Sequence, residues 1–155
     1  MAFTVLIDGP SGAGKTTLAV VMGQALGMEV VHLDDFYPGW AGLAEGARMV
    51  AEDVLHPTRP GFWRWDWRCD RRGAWVALDP AADLIVEGVG AVTGASLSAA
   101  QARGHVVAIR VTAPPATRKQ RALKRDPGYA EYWDMWAAQE AKLQPAPVDV
   151  TVRMG

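Results

Sequence analysis

Eight residues near the start of the chain, Gly9-Pro10-Ser11-Gly12-Ala13-Gly14-Lys15-Thr16, match the pattern G-x-x-x-x-G-K-[ST] at every fixed position. The chemistry follows from the residue types. Glycines permit a tight loop whose amides converge on an anion, and a helix starting at the loop adds favourable potential there. Lys15 would neutralise the β- and γ-phosphates, and the Thr16 hydroxyl would ligate Mg2+. Gly9, Ser11, Gly12, Ala13, Gly14 and Thr17 would complete the cradle. The motif predicts a bound nucleoside triphosphate, with ATP and Mg2+ as the expected pair.

Other chemistry-bearing residues stand at the ends of apolar runs. Asp34 and Asp35 follow Glu29 to Leu33, and residues just past strand C-termini line the ligand crevice of a parallel sheet. Asp34 would stand beside the γ-phosphate, placed to orient or deprotonate an acceptor hydroxyl and within reach of the metal. Asp35 would join the metal shell or cap the next segment. Asp83-Leu84-Ile85-Val86-Glu87 reads as a buried strand ending in a carboxylate. Glu87 would hold a Mg2+-bound water, Gly88 and Gly90 would admit close backbone approach, and Asp83 at the far edge is structural. Between Arg118 and Asp126 lie five cations and one anion, with Arg118, Arg121 and Arg125 on one helix face. Such a face suits a lid over residues 114–128 that closes on a transferring phosphate and stabilises its charge.

The elements that must position these residues are legible as alternating patterns. Phe3 to Ile7, Glu29 to Leu33, Asp83 to Glu87, His105 to Val111 and Val148 to Val152 read as five strands. Leu18, Val21, Met22, Ala25 and Leu26 recur at helical spacing before Gly27, and Leu43, Ala47, Val50 and Val54 trace a second stripe that Pro57 ends. Ser96 or Ser98 would cap a short helix ending before Gly104. Pro114-Pro115 opens the basic helix, and Tyr129, Trp133, Trp136 and Glu140 share a face of the last one. Trp63, Trp65 and Trp67 alternate with Arg64, Asp66 and Arg68, which predicts a strand; Arg71-Arg72-Gly73 would turn it into a hairpin within residues 56–80. Strands alternating with helices imply βαβ units and a parallel sheet covered on both faces, with the hairpin at one edge.

In their order along the chain, several of these segments resemble uridine kinase and its phosphoribulokinase-like and pantothenate-kinase-like relatives. They are Gly9 to Thr16, Asp34-Asp35-Phe36-Tyr37, Glu87-Gly88 and Arg121-x-x-x-Arg125-Asp126; Arg64-Trp65-Asp66-Trp67 is similar to the family's acceptor-side hairpin. The resemblance runs from Phe3 to about Val152. It implies one α/β domain of the P-loop NTPase fold over residues 1–155: a five-stranded parallel sheet flanked by helices, a small β-hairpin insertion and an Arg-rich lid. It further implies Lys15, Asp34, Arg121 and Arg125 as catalytic residues, with Asp34 as base. Thr16, Glu87 and Asp34 would lie at Mg2+, Arg118 with the nucleotide, and Asp35, Tyr37, Trp65 and Arg72 with the acceptor. The departures are a shorter chain, Asp70 about where those enzymes carry a base-contacting histidine, and an acceptor side rich in tryptophan.

Trp63, Trp65 and Trp67 would stack a planar acceptor or glue the hairpin to the domain. Trp40 falls near the acceptor crevice, Trp133 and Trp136 read as core, and His32 as a satisfied strand histidine. Arg68, Arg71 and Arg72 would depress the pKa of Cys69, which has no other thiol-chemistry signature. The 155 residues, half of them apolar and 21% charged, suffice for one core, and a lone cysteine builds neither an internal disulfide nor a zinc site. A net charge of -1 argues against a nucleic-acid partner, although five arginines between Arg59 and Arg72 leave an anionic substrate open. Met1-Ala2-Phe3-Thr4 lacks a secretory pattern and no run is long enough for a membrane span, so a cytoplasmic protein is expected. The function expected is transfer of the γ-phosphate of ATP to a hydroxyl of a nucleoside-like small molecule. The alternatives are another acceptor (sugar, pantothenate-like alcohol or nucleoside monophosphate) or an ATP sensor without turnover. A GTPase switch would need an N-K-x-D, which the chain lacks.

Overall fold

Side-chain alternation along the first strand divides the molecule into two layers. In β1 (Ala2–Asp8), Val5 and Ile7 point to one face of the sheet and Leu6 to the other, and all three are buried. Val5 and Ile7 join Ile85, Ile109 and Val111 beneath α1 (Lys15–Leu26), which contributes Ala19. Leu6 joins Val31, Leu84, Val86 and Ala108 in the larger core on the opposite face. Each fully buried leucine or isoleucine contributes about 1.5–3 kcal/mol, so the double-sided burial of β1 makes it the centre of the structure. The computed structural model describes residues 1–144 and 146–155.

The sheet is all-parallel in the order β2-β5-β1-β6-β7, with β2 (Glu29–His32), β5 (Leu84–Glu87), β6 (Gly104–Thr112) and β7 (Val150–Arg153). The larger core is closed by α2 (Leu43–Met49), α3 (Gly94–Arg103), α4 (Pro115–Arg125) and α5 (Trp133–Lys142). A π-helical turn, Val50–Val54, prolongs α2. Leu43, Ala47, Val50 and Val54 are all buried, as their spacing predicts. The register sets Ile7 beside Glu87 and His32 beside Glu87, which brings the C-terminal ends of β1, β2 and β5 together.

Three local expectations are corrected. The cap of α3 is Thr93, not Ser96 or Ser98: Ser96 N–H donates to Thr93 Oγ1 and Thr93 N–H to Ser96 Oγ, a reciprocal capping box. The hairpin pairs β3 (Gly61–Asp66) with β4 (Arg71–Ala77), so Arg71-Arg72-Gly73 lies in a strand and residues 67–70 make the turn. Asp66 starts that turn by accepting from the N–H groups of Arg68 and Cys69, and Asp70 sits at φ +50°. The three tryptophans do not all share one strand face either. Trp63 and Trp65 line one small space, the register irregularity opposite them adds a residue to β4, and Trp67 lies beyond the strand. No helix among the described residues is long and apolar enough to cross a membrane.

Gly9 is where the sheet and the phosphate loop constrain each other most tightly. Its φ is +147°, and a Cβ there would lie 2.1 Å from the Val111 carbonyl oxygen on the neighbouring strand. Gly9→Ala is expected to destabilise the protein by about 3 kcal/mol, seen as a thermal midpoint lower by about 6–12 °C.

Candidate active site

The site is assembled where the strands end. Asp8, the last residue of β1, is buried, and its carboxylate accepts from Gly9 N–H at 2.6 Å, Gly90 N–H at 3.1 Å and Val92 N–H at 2.9 Å. Three charge-assisted bonds offset the desolvation of that carboxylate. They tie the entry of the phosphate loop to the segment after β5. The loop then passes through Gly12 and Gly14, both at positive φ, and delivers Lys15 and Thr16 into the first turn of α1.

Lys15 is buried and donates from Nζ to the Pro10 carbonyl at 3.0 Å. Burial lowers its pKa, opposed by the nearby carboxylates of Glu87, Asp34, Asp8 and Glu140. Thr16 Oγ1 lies 3.2 Å from both oxygens of Glu87, and His32 Nδ1 lies 2.9 Å from Glu87 Oε1. The bond to Glu87 raises the His32 pKa. A hydroxyl and one carboxylate fit a magnesium ion that keeps most of its water shell. Among the described residues no group of three His, Cys, Asp or Glu is placed to hold a metal by itself.

A cavity of about 750 Å3 opens above these groups. It is lined by Ser11, Gly12, Gly14, Lys15, Thr16, Thr17, Asp34, Tyr37 and Glu87 among the expected residues, together with Arg121 and Arg125 of α4. Asp34 lies in a 3-10 turn, Leu33–Asp35, directly after β2. It is walled by protein while open to water through the cavity. The surrounding protein, and Glu87 next, push its pKa up; Lys15, Arg125 and His32 oppose the shift. Tyr37 presents its ring, because its hydroxyl is already donated to the Val89 carbonyl at 2.6 Å.

Other expected site residues are placed elsewhere. Gly9 and Ala13 shape the loop without lining the cavity. Arg118 turns away from the cavity and braces the loop, donating to the carbonyls of Ala113 (3.1 Å) and Ser11 (3.3 Å). Asp35 does not line the cavity. Trp65 and Arg72 line a separate space of about 330 Å3 beside Phe36 and Asp53, and the Arg72 guanidinium lies 3.9 Å over the Trp63 ring. The physical reason is where β3 ends: Trp63 and Trp65, two apart in the strand, both line this smaller space, whereas Trp67 lies past Asp66 in the turn and reaches the main cavity. Cys69 is exposed, and Asp66 raises its pKa, against the depression expected from the arginines.

Four cavity or loop contacts lie outside the expected set. Trp67 Nε1 donates to the Asp34 carbonyl at 2.9 Å, and its ring lies 5.2 Å from that of Trp40. Tyr129 donates to Ser11 Oγ at 3.0 Å, and Ser11 N–H donates to Glu140 Oε2 at 2.8 Å. The last contact had a sequence signal: Glu140 is a carboxylate on the aromatic face of its helix, which is an expensive position unless a donor waits there. Burial, the dominant cause, raises the Glu140 pKa, and the Ser11 N–H bond opposes it.

These features define an α/β fold of the P-loop type with its phosphate loop at the floor of one cavity. No family model matches the chain. It is 31% identical over 132 residues to a cytidylate kinase of Salmonella choleraesuis, covering 83% of this chain and 54% of that protein. The chain thus spans about half the length of the curated relatives it matches. Solved structures of similar fold include a protein described as a possible uridine kinase from Bacillus stearothermophilus, with a TM-score of 0.56, 19% identity and coverage of 97% of this chain and 88% of that one. A sugar kinase from Janibacter sp. HTCC2649 gives a TM-score of 0.57, 18% identity and coverage of 99% and 86%. The APS kinase of Mycobacterium tuberculosis, solved with AMPPNP and APS, gives 0.57, 17% identity and coverage of 98% and 88%.

Because the folded protein holds the Glu140 proton more tightly than the unfolded chain, it loses stability as pH rises from the ordinary glutamate range through the raised value. Glu140→Gln removes that loss while its amide oxygen still accepts from Ser11. Thermal denaturation is expected to show a midpoint gain of about 1–3 °C at about pH 8, vanishing near about pH 4.

Proposed function

We propose that the protein is an ATP-dependent small-molecule kinase acting on a hydroxyl group. The observation that carries this reading is the presence in one cavity of a carboxylate, Asp34, with the phosphate loop, the Thr16–Glu87 pair and Arg121 and Arg125. The loop amides and Lys15 hold the phosphates of ATP. Thr16 and Glu87 would hold Mg2+, whose charge would offset that of the phosphates. Asp34, hydrogen-bonded to the acceptor hydroxyl, takes its proton as the oxygen bonds to the γ-phosphorus. The bond from that phosphorus to the β-phosphate oxygen breaks, and ADP leaves. Its raised pKa makes Asp34 a better proton acceptor than an exposed aspartate.

Arg121 and Arg125 lie on the helix that would close over the phosphates, stabilise the transferring group and exclude water. Arg125 lines the same cavity as Asp34 and opposes the rise in its pKa, which supports this reading. The named relatives and structural neighbours are kinases for acceptors as different as sugars, APS and cytidylate, so they agree on phosphoryl transfer and differ on the acceptor.

ADP release from Mg2+-ATP is the direct test, run against nucleosides, nucleotides, sugars and vitamin alcohols. One compound is expected to stimulate it. Asp34→Asn is expected to lower that rate by about a thousandfold, with ATP affinity changed less than about threefold. Turnover retained in Asp34→Asn overturns the assignment of the base, and ATP binding without stimulation by any acceptor favours a sensor.

A further inference from the structure

The charges that line the main cavity are divided by sign. Its three cations are Lys15 at the phosphate loop, Arg121, whose guanidinium reaches toward the Gly12 carbonyl (3.5 Å), and Arg125. The kinase reading assigns all three to the phosphates of ATP. The remaining charged lining groups, Asp34, Glu87, Asp126 and Glu131, are carboxylates. Two of the five arginines between Arg59 and Arg72 lie over tryptophans outside the cavity, Arg72 over Trp63 and Arg59 over Trp75 at 5.6 Å, and none of the five lines the cavity.

Next to Asp34 the cavity is instead aromatic. Trp67 is 39% exposed, which leaves ring surface available to a ligand, and its indole N–H is fixed on the Asp34 carbonyl. Trp40 is fixed by two other lining rings, Tyr132, stacked at 4.5 Å with the planes 6° apart, and Trp136 edge-on. Its backbone carbonyl accepts from Gln139 Nε2 at 2.6 Å. Two indoles thus stand in preset orientations beside the candidate base.

We propose that Trp67 and Trp40 are the acceptor-recognition surface, and that the acceptor is an alcohol with a flat apolar body and no anionic group. This rests on the kinase reading above. The rings offer apolar area and π-faces to such a body. A phosphate or carboxylate on the acceptor would be desolvated among four carboxylates and would have to compete with the phosphates of ATP for the three lining cations. The cytidylate named for the curated relatives is an acceptor of that disfavoured kind. The Trp67–Asp34 bond makes Trp67 a positioning residue as well, since the ring that seats the acceptor also holds the backbone of the base.

The test uses the full chain saturated with AMPPNP and Mg2+, so that binding is read without turnover. Titration calorimetry compares matched pairs: a pyrimidine nucleoside against its monophosphate, and hydroxymethylbenzene against its para-carboxylate. The uncharged member is expected to bind at least about tenfold more tightly in each pair. Trp67→Ala is expected to weaken it about tenfold with unchanged circular dichroism. With ATP and the best uncharged acceptor, Trp67→Phe, which keeps a ring but loses the indole N–H, is expected to preserve KM within about threefold and lower kcat. Equal or tighter binding of the anionic members, no effect of Trp67→Ala, or no binding of any uncharged probe overturns the proposal. Uncharged probes that bind but elicit no ADP release from ATP overturn the kinase reading alone, because the recognition surface has then been seen without it.

Discussion

A single buried carboxylate holds the two halves of the phosphate site in one frame. Asp8 receives amide N–H groups from Gly9, Gly90 and Val92, so the loop leaving β1 and the loop leaving β5 cannot separate without stranding a charge away from water. Parallel pairing supplies the rest of the constraint. Glu87 stands beside Ile7 on one side and His32 on the other, and Gly88 N–H donates to the Ile7 carbonyl at 3.0 Å. The position of Glu87 is therefore a property of the sheet, which suits a site that must hold charged groups in preset positions.

The C-terminal third of the chain acts on the same loop from the other side. Ser11 is engaged by three elements: Arg118 of α4 at its carbonyl, Tyr129 at its hydroxyl and Glu140 of α5 at its N–H. These contacts connect the arginine-bearing helix to the loop it would serve. They also place Glu140 beside Lys15, where it adds to the carboxylates that oppose the effect of burial on the lysine.

Aromatic packing does for the other end of the cavity what Asp8 does for the phosphate end. Trp40 lies within 6.1 Å, centroid to centroid, of Trp67, Tyr129, Tyr132 and Trp136, which come from the hairpin turn and the C-terminal segment. Such rings contribute both buried area and preferred orientations. They bring segments distant in sequence to bear on the turn that carries Asp34.

The sequence alone determined what depends on local spacing. A glycine-rich octet between a strand and a helix, a carboxylate at the end of an apolar strand, and period-two or helical stripes are patterns of neighbouring residues, and each produced its element. The nucleotide side of the site follows from them, because its loop and helix are contiguous. Tertiary structure decided the acceptor side. Trp65 and Arg72 face a separate small space together with Trp63, while Trp67, in the turn past the end of β3, reaches the cavity; where a strand ends against its partner is set by packing, not by alternation along the chain. The partners of Asp8, Ser11 and Trp40 lie far along the chain. Their hydrogen bonds and ring contacts exist only once the parallel sheet has set the distances between loops, and no local spacing encodes those distances.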